Sequence, residues 1–79
     1  MDSQDDIVEV SFHQNYSDKI TIRADKDSWT VYVQNIITGR FTMSLGVDNP
    51  GAGIKANYNE AYERIKREYP NIPDFTFKD

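Results

Sequence analysis

The sequence contains no cysteine, and this absence excludes several kinds of chemistry at once. Disulfide bonds, thiolate zinc sites, iron–sulfur clusters and thiol nucleophiles all require cysteine. Small secreted domains commonly depend on disulfides, so we expect a reducing, cytoplasmic compartment. The acidic residues 1–6 lack the basic and apolar regions of a signal peptide, and no apolar run approaches the roughly 20 residues of a membrane span. We therefore expect no membrane partner.

Histidine is almost absent as well, because His13 is the only one in the chain. Ser11 lies two residues before it and Asp18 five residues after it, an arrangement that many small domains show without any catalytic role. The neighbouring acids Asp25 and Asp27 fall in a predicted turn, which offers no cleft for a substrate. The sequence thus predicts a protein that is not an enzyme and has no cofactor, no metal site and no catalytic residues.

Lysine and arginine are missing from residues 1–18, although the acids are well represented there. The net charge of −4 disfavours a nucleic-acid partner, since phosphate-binding proteins gain affinity from excess cations. An acidic end of this kind either serves solubility alone or forms a patch that meets a basic partner. The residues of the predicted acidic surface are Asp2, Asp5, Asp6, Glu9, Asp25 and Asp27.

Four segments alternate apolar and polar residues, which is typical of strands in an antiparallel sheet that is covered on one side. Short turns separate the segments and favour a meander of sequential neighbours. In the tightest turn, Gly39 can adopt the positive φ that a hairpin requires. The apolar side of the sheet would consist of Val8, Val10, Phe12, Ile20, Ile22, Ala24, Trp29, Val31, Val33, Phe41, Met43, Leu45 and Val47.

A helical pattern follows the strands, with Asn57 as its predicted N-cap, Glu60 three residues on and Pro70 at its end. Its apolar stripe would contain Tyr58, Ala61, Tyr62, Ile65 and Tyr69. The sequence therefore predicts an α+β fold: an antiparallel four-stranded meander sheet with one C-terminal helix packed on one face (ββββα), in a single domain over residues 1–79. We expect residues 1–6 to be a flexible acidic N-terminus and residues 70–79 to be a C-terminal extension. Phe75 and Phe77 would form a fifth strand there, pack on the domain or remain as an exposed anchor.

The sheet side opposite the helix carries mainly polar side chains. It is the predicted partner-binding surface, although such a face is also compatible with simple solvation. Its residues are Lys19, Thr21, Arg23, Thr30, Tyr32, Gln34, Arg40 and Thr42.

Two resemblances refine this picture. The strand–strand–strand–helix order over residues 19–69, with Asn59-Glu60-Ala61-Tyr62 in the helix, resembles the small domains that phage integrases use at arm-type DNA sites. That resemblance implies insertion of the sheet into the major groove, with Arg23, Tyr32 and Arg40 contacting the DNA. In size and acidity the chain is also similar to the anti-restriction and anti-CRISPR proteins of phages and mobile elements. This second similarity implies an inhibitor of a host nucleic-acid machine that uses its surface acids.

The leading hypothesis is a small non-enzymatic interaction protein that binds a partner protein through the open sheet face or the acidic surface. An inhibitor of the phage type is its most concrete form. The alternative is a nucleic-acid-binding module, and a second copy of the chain is a further candidate partner, because the Phe pair and an unpaired sheet edge are both compatible with a homodimer.

Overall fold

The computed structural model describes residues 7–73, and it shows the predicted ββββα fold. The sheet order is β1-β2-β3-β4, and every pair of neighbours is antiparallel. The predicted roles of Phe75 and Phe77, like those of residues 1–6, lie outside the described residues. The elements are β1 (Ile7–His13), β2 (Asp18–Asp25), β3 (Ser28–Asn35), β4 (Phe41–Asp48) and α1 (Ile54–Glu68).

Each of the three hairpins is held by one side chain at the start of its turn. Asn15, Asp25 and Asn35 are spaced ten residues apart, and each accepts the backbone N–H two residues further on at 2.8–2.9 Å. Short carboxylate and amide side chains favour this geometry because they imitate the backbone carbonyl of a turn. In the third hairpin, Gly39 adopts the positive φ (80°) that the sequence predicts. Because the turns recur every ten residues, the strands are similar in length and lie side by side as a meander.

The helix covers one side of the sheet, where it lies over β2 and β3 and touches β1 at its margin. Beneath it, Ile20, Ile22, Val31 and Val33 are completely buried, and Ile65 of the helix joins them. Full burial of each such side chain contributes roughly 1.5–3 kcal/mol. On β4, the residues of the same sheet side are only partly buried at the edge of this core: Met43, Leu45 and Val47.

The helix begins earlier than the sequence predicts, so the prediction that Asn57 is an N-cap is wrong. The N-cap is Gly53, with φ 96°, and Asn57 lies one turn inside the helix. Its side chain is fully buried and donates from Nδ2 to the carbonyl oxygen of Asp25 at 2.9 Å. Asn49 Nδ2 in turn donates to Asn57 Oδ1 at 3.1 Å. Asn57 thus joins the helix to the end of β2.

The connector between sheet and helix docks on the β2–β3 hairpin. Asn49 N–H donates to the carbonyl oxygen of Asp27 at 2.7 Å, and Gly53 N–H donates to that of Lys26 at 3.0 Å. Gly51 N–H donates to the Asp27 carboxylate at 3.0 Å. These bonds fix the point at which α1 starts, and therefore the path of the helix across the sheet.

On the helix surface, Arg64 donates a hydrogen bond to Glu68 at 2.9 Å and forms an ion pair with it. Glu60 accepts a hydrogen bond from Asn49 Nδ2 at 3.3 Å, so its carboxylate is drawn toward the connector. The side chains of Arg64 and Glu68 are 34% and 49% exposed, and such surface pairs contribute only a few tenths of a kcal/mol.

A bulge at the start of β4 changes the side on which Phe41 lies. Simple alternation places Phe41 on the apolar side with Met43, and this prediction is wrong. Phe41 pairs with Gln34 and Met43 pairs in the regular register, so that Thr42 is the extra residue. The ring of Phe41 contacts the ring of Tyr32, with centroids 5.5 Å apart, on the side away from the helix. One inserted residue has therefore moved a large aromatic side chain out of the core.

Candidate functional site

The side of the sheet away from α1 is the open face, which no element within residues 7–73 covers. The strand registers arrange its side chains in three complete rows across the sheet, and a further row beside the β2–β3 hairpin holds Ile7, Asp25, Ser28 and Asp48. The first row contains Glu9, Arg23, Thr30 and Gly46. The middle row contains Ser11, Thr21, Tyr32 and Ser44. The third row, beside the β1–β2 and β3–β4 loops, contains His13, Lys19, Gln34 and Phe41.

The middle row is partly closed by its own side chains. Thr21 is only 5% exposed, and its hydroxyl oxygen lies 3.0 Å from that of Ser11. Tyr32 stands directly opposite Thr21 on the neighbouring strand. The Thr21 side chain therefore links β2 to β1, whereas the exposed residues around it are available for contact with a partner.

The open face carries charged side chains of both signs, because the strand registers place Asp25 and Asp48 on the same side as Lys19, Arg23 and Glu9. Lys19 and Arg23 project from β2, and Glu9 lies opposite Arg23 in the register. Arg40 is exposed in the loop just before β4, where its carbonyl oxygen accepts the N–H of Asn35 at 2.8 Å. Thr42, the extra residue of the bulge, is exposed too, with its hydroxyl 3.4 Å from the carbonyl oxygen of Val33.

The net negative charge of the chain does not come from residues 7–73. Residues 7–73 hold eight Asp and Glu against eight Lys and Arg. The net charge of −4 therefore comes from residues 1–6 and 74–79, which hold five acids and Lys78. An argument from net charge against an anionic partner consequently applies to the ends of the chain and not to residues 7–73, whose charges balance.

Four of the exposed large apolar side chains lie in or beside the two loops at one end of the sheet, and we call this group the loop patch: Tyr16, Ile36, Ile37 and Phe41. Ile7, which is 45% exposed, lies at the other end. Ile36 N–H donates to the carbonyl oxygen of Ser17 at 2.7 Å, which brings the β1–β2 and β3–β4 loops together. The exposed fractions are 84% for Tyr16, 45% for Ile36, 67% for Ile37 and 57% for Phe41. Tyr32 extends the loop patch onto the sheet through its contact with Phe41.

Sequence reasoning did not assign these four residues to a surface. Phe41 was hidden by the bulge, because alternation alone places it in the core. For the others a signal was present: Tyr16, Ile36 and Ile37 occupy turns, where an apolar side chain has no core to enter.

Of the residues of the predicted acidic surface, the described structure places Glu9 and Asp25 on the same side of the sheet. Asp2, Asp5 and Asp6 lie outside the described residues, and Glu9 is on the open face. Asp25 and Asp27 are in the β2–β3 hairpin, at the opposite end of the sheet from the loop patch.

Both hairpin acids serve the local backbone. The N–H of Asp27 has the largest effect on the Asp25 carboxyl and lowers its pKa. Burial opposes this shift, whereas hydrogen bonds from Ser28 and the charge of Arg23 lower the pKa further. The Asp27 carboxylate accepts the N–H of Gly51 at 3.0 Å. These contacts give the two acids a structural role.

The sequence neighbours Ser11 and His13 both lie on the open face. The hydroxyl of Ser11 bonds to Thr21 and not to His13, which is exposed opposite Lys19. Within residues 7–73 no three His, Asp or Glu side chains gather closely enough to hold a metal ion. Over the same span, no helix has both the length and the apolar character needed to cross a membrane.

The comparisons with known proteins give no relative. The chain matches no family model, no curated protein and no solved structure. The resemblances to integrase domains and to phage antagonists therefore depend on the residues that suggest them. Of the three DNA contacts implied by the first, Arg23 and Tyr32 lie on the open face and Arg40 lies in the adjoining loop.

Proposed function

We propose that this chain is a binding module that docks on a partner protein through the loop patch and the adjoining open face. The observation that carries the proposal is the exposure of the loop patch: four large apolar side chains, each at least 45% exposed, beside a rim of polar and cationic residues. Aromatic and aliphatic anchors surrounded by polar groups are the usual composition of a protein interface.

The two parts of the surface have different tasks in this proposal. Phe41, Ile36 and Ile37 lose their contact with water on docking, which supplies most of the free energy of binding. Lys19 and Arg23 select a partner with acidic groups beside an apolar pocket and increase the rate of encounter. Thr30 and Gln34, which lie on β3 opposite Arg23 and Lys19, supply neutral hydrogen-bonding groups.

An inhibitor is the most concrete form of such a module. It acts by occupying a site on its target and needs no reactive group of its own. The target class suggested by the similarity to phage antagonists is a host nucleic-acid machine. On the open face, the cations would dock on acidic protein groups of that machine and would not themselves imitate DNA.

The test passes a native cell lysate over the immobilised wild-type chain and over two immobilised variants. The proteins that each of the three retains are then compared. The surface variant combines Ile37→Ser with Phe41→Ser, and the matched control is Arg67→Ser on the exposed side of the helix. We expect a protein that is retained by the wild type and the control and is lost with the surface variant. Equal retention by all three baits at micromolar concentration would contradict the proposal.

A second candidate function is binding of single- or double-stranded nucleic acid on the open face. The position of Lys19 and Arg23 on β2, next to Tyr32 on β3, favours it, and Tyr32 is in contact with Phe41. Cations neutralise phosphates, while aromatic rings stack on unpaired bases.

A salt titration with labelled oligonucleotides tests this candidate. The double variant Lys19→Ala with Arg23→Ala should weaken binding and reduce the salt dependence, whereas Lys66→Ala on the helix should leave both unchanged. If the wild type shows no binding at 50 mM salt, where phosphate contacts are strong, this function is excluded.

A further inference from the structure

Strand β4 is an edge strand, and its outer backbone groups have no partner strand among the described residues. Asn49, just after β4, donates its N–H to Asp27 on the β3 side. Bonding direction alternates along an antiparallel strand, so Met43, Leu45 and Val47 also bond toward β3. The backbone N–H and C=O groups of Ser44, Gly46 and Asp48 therefore point outward.

The composition of β4 does not protect this edge. Natural sheets usually blunt an exposed edge with Lys, Pro, an inward-pointing charge or a very short strand. From Phe41 to Val47 the strand contains no charged residue and no proline, and the bulge lies at its first residues only. The opposite edge strand, β1, carries Glu9 within its length.

The strand is also complementary to itself. An antiparallel pair of β4 strands centred on Leu45 sets Leu45 against Leu45 of the second copy and Met43 against Val47. On the open side it sets Ser44 against Gly46, two small residues that leave room for the backbones to approach. Asp48, the only charged residue of β4, faces Thr42, so no like charges meet.

From this geometry we propose that two copies of the chain pair through β4 to form one continuous eight-stranded antiparallel sheet. Strands paired in this way are related by a two-fold axis perpendicular to the sheet. Both open faces then lie on the same side, and both helices lie on the other. Each α1 lies over β2 and β3, so the helices stay clear of the seam. The half-buried Met43, Leu45 and Val47 of each copy gain an apolar neighbour.

Sedimentation of the full chain over a concentration series tests this pairing. Ser44→Pro removes an outward N–H and leaves the bonds between β3 and β4 intact, whereas the control Ser44→Ala keeps the N–H. The hydrogen bond of this N–H occurs twice in a two-fold pair, so the proline variant loses two bonds. We expect it to raise the dimer dissociation constant by a factor of at least about ten, and we expect the alanine variant to have little effect. If the proline variant is unfolded by circular dichroism, Ser44→Lys replaces it, because a charge at the seam also opposes pairing.

Amide hydrogen exchange of the wild type provides a measurement without any substitution. We expect the Ser44 and Gly46 amides to become protected as the concentration rises, while the Leu45 amide is protected at all concentrations. A chain that stays monomeric at several hundred micromolar overturns the proposal. A dimer whose Ser44 and Gly46 amides exchange as fast as those of the monomer overturns it equally.

Discussion

At the scale of single residues, polar side chains in contact with backbone groups fix the hairpin turns and tie the helix to the sheet. Asn15, Asp25 and Asn35 shape the three hairpins, and Asn57 joins the helix to β2. The first three follow from the sequence, because such residues favour turns. The role of Asn57 does not, because an asparagine near a helix start satisfies the rules for an N-cap equally well.

Replacement of Asn57 by alanine tests its role. Asn57→Ala leaves the carbonyl oxygen of Asp25 and the side chain of Asn49 without this partner in a buried place, so we expect a loss of about 1–3 kcal/mol in the free energy of unfolding. Urea unfolding followed by the fluorescence of Trp29, the only tryptophan, measures it. Asn59→Ala, at an exposed helix position, is the control. Equal losses of unfolding free energy for the two substitutions would show that the hydrogen bonds of Asn57 do not stabilise the fold.

Asp25 predicts a pH dependence of stability. Its pKa is lower in the folded chain than in the unfolded chain, since hydrogen bonds from Asp27 and Ser28 favour the carboxylate. The stabilisation is therefore complete above the ordinary aspartate pKa and is lost as the pH falls through the lower, folded value. Asp25→Asn keeps an acceptor oxygen and removes the charge. We expect the stability advantage of the wild type over this variant to shrink below about pH 4. A difference that stays constant from pH 6 to pH 2.5 would refute the assignment.

At the scale of elements, strand positions and their order are predictable from alternation and turn residues, but two boundaries are not. The helix start depends on the bonds that tie Asn49, Gly51 and Gly53 to the β2–β3 hairpin, and these join parts of the chain that are distant in sequence. The bulge at Thr42 depends on register, which a single strand does not reveal. The bulge determines the composition of the proposed binding surface, because it moves Phe41 to the open face.

The entry into the helix gives an element-scale prediction. Gly53 has φ 96°, a region that residues with a Cβ atom rarely adopt. Gly53→Ala should therefore destabilise the chain by about 1–2 kcal/mol, although open space surrounds the position. Thermal unfolding by circular dichroism measures this loss, with Ala52→Ser at the neighbouring exposed position as control. An alanine variant as stable as the control would mean that the helix starts elsewhere.

At the scale of the whole molecule, the chain divides its large side chains between a covered face and an available face. Trp29, Tyr58 and Tyr62 lie under or in the helix, and Tyr16 and Phe41 lie where nothing described covers them. Sequence reasoning predicts the covered group well, since burial follows the periodic pattern. It predicts the available group poorly, since exposure of the loop patch results from how two loops meet.

A pair of substitutions measures this division as stability. Ile22→Ala empties a completely buried position between helix and sheet, and we expect a loss of roughly 2–5 kcal/mol. Ile37→Ala removes the same number of atoms from the loop patch and should change stability by no more than about 0.5 kcal/mol. Comparable losses would mean that Ile37 is buried in the free protein.

Hydroxyl-radical footprinting of the free chain reads both faces in one experiment and tests the division most directly. We expect rapid oxidation of Tyr16 and Phe41 and slow oxidation of Trp29 and Tyr58, even though tryptophan is intrinsically reactive. Unfolding in urea should bring all four to their intrinsic rates. Fast oxidation of Trp29 in the native chain, or protection of Tyr16 and Phe41 in the monomer, would contradict the account of one covered and one available side.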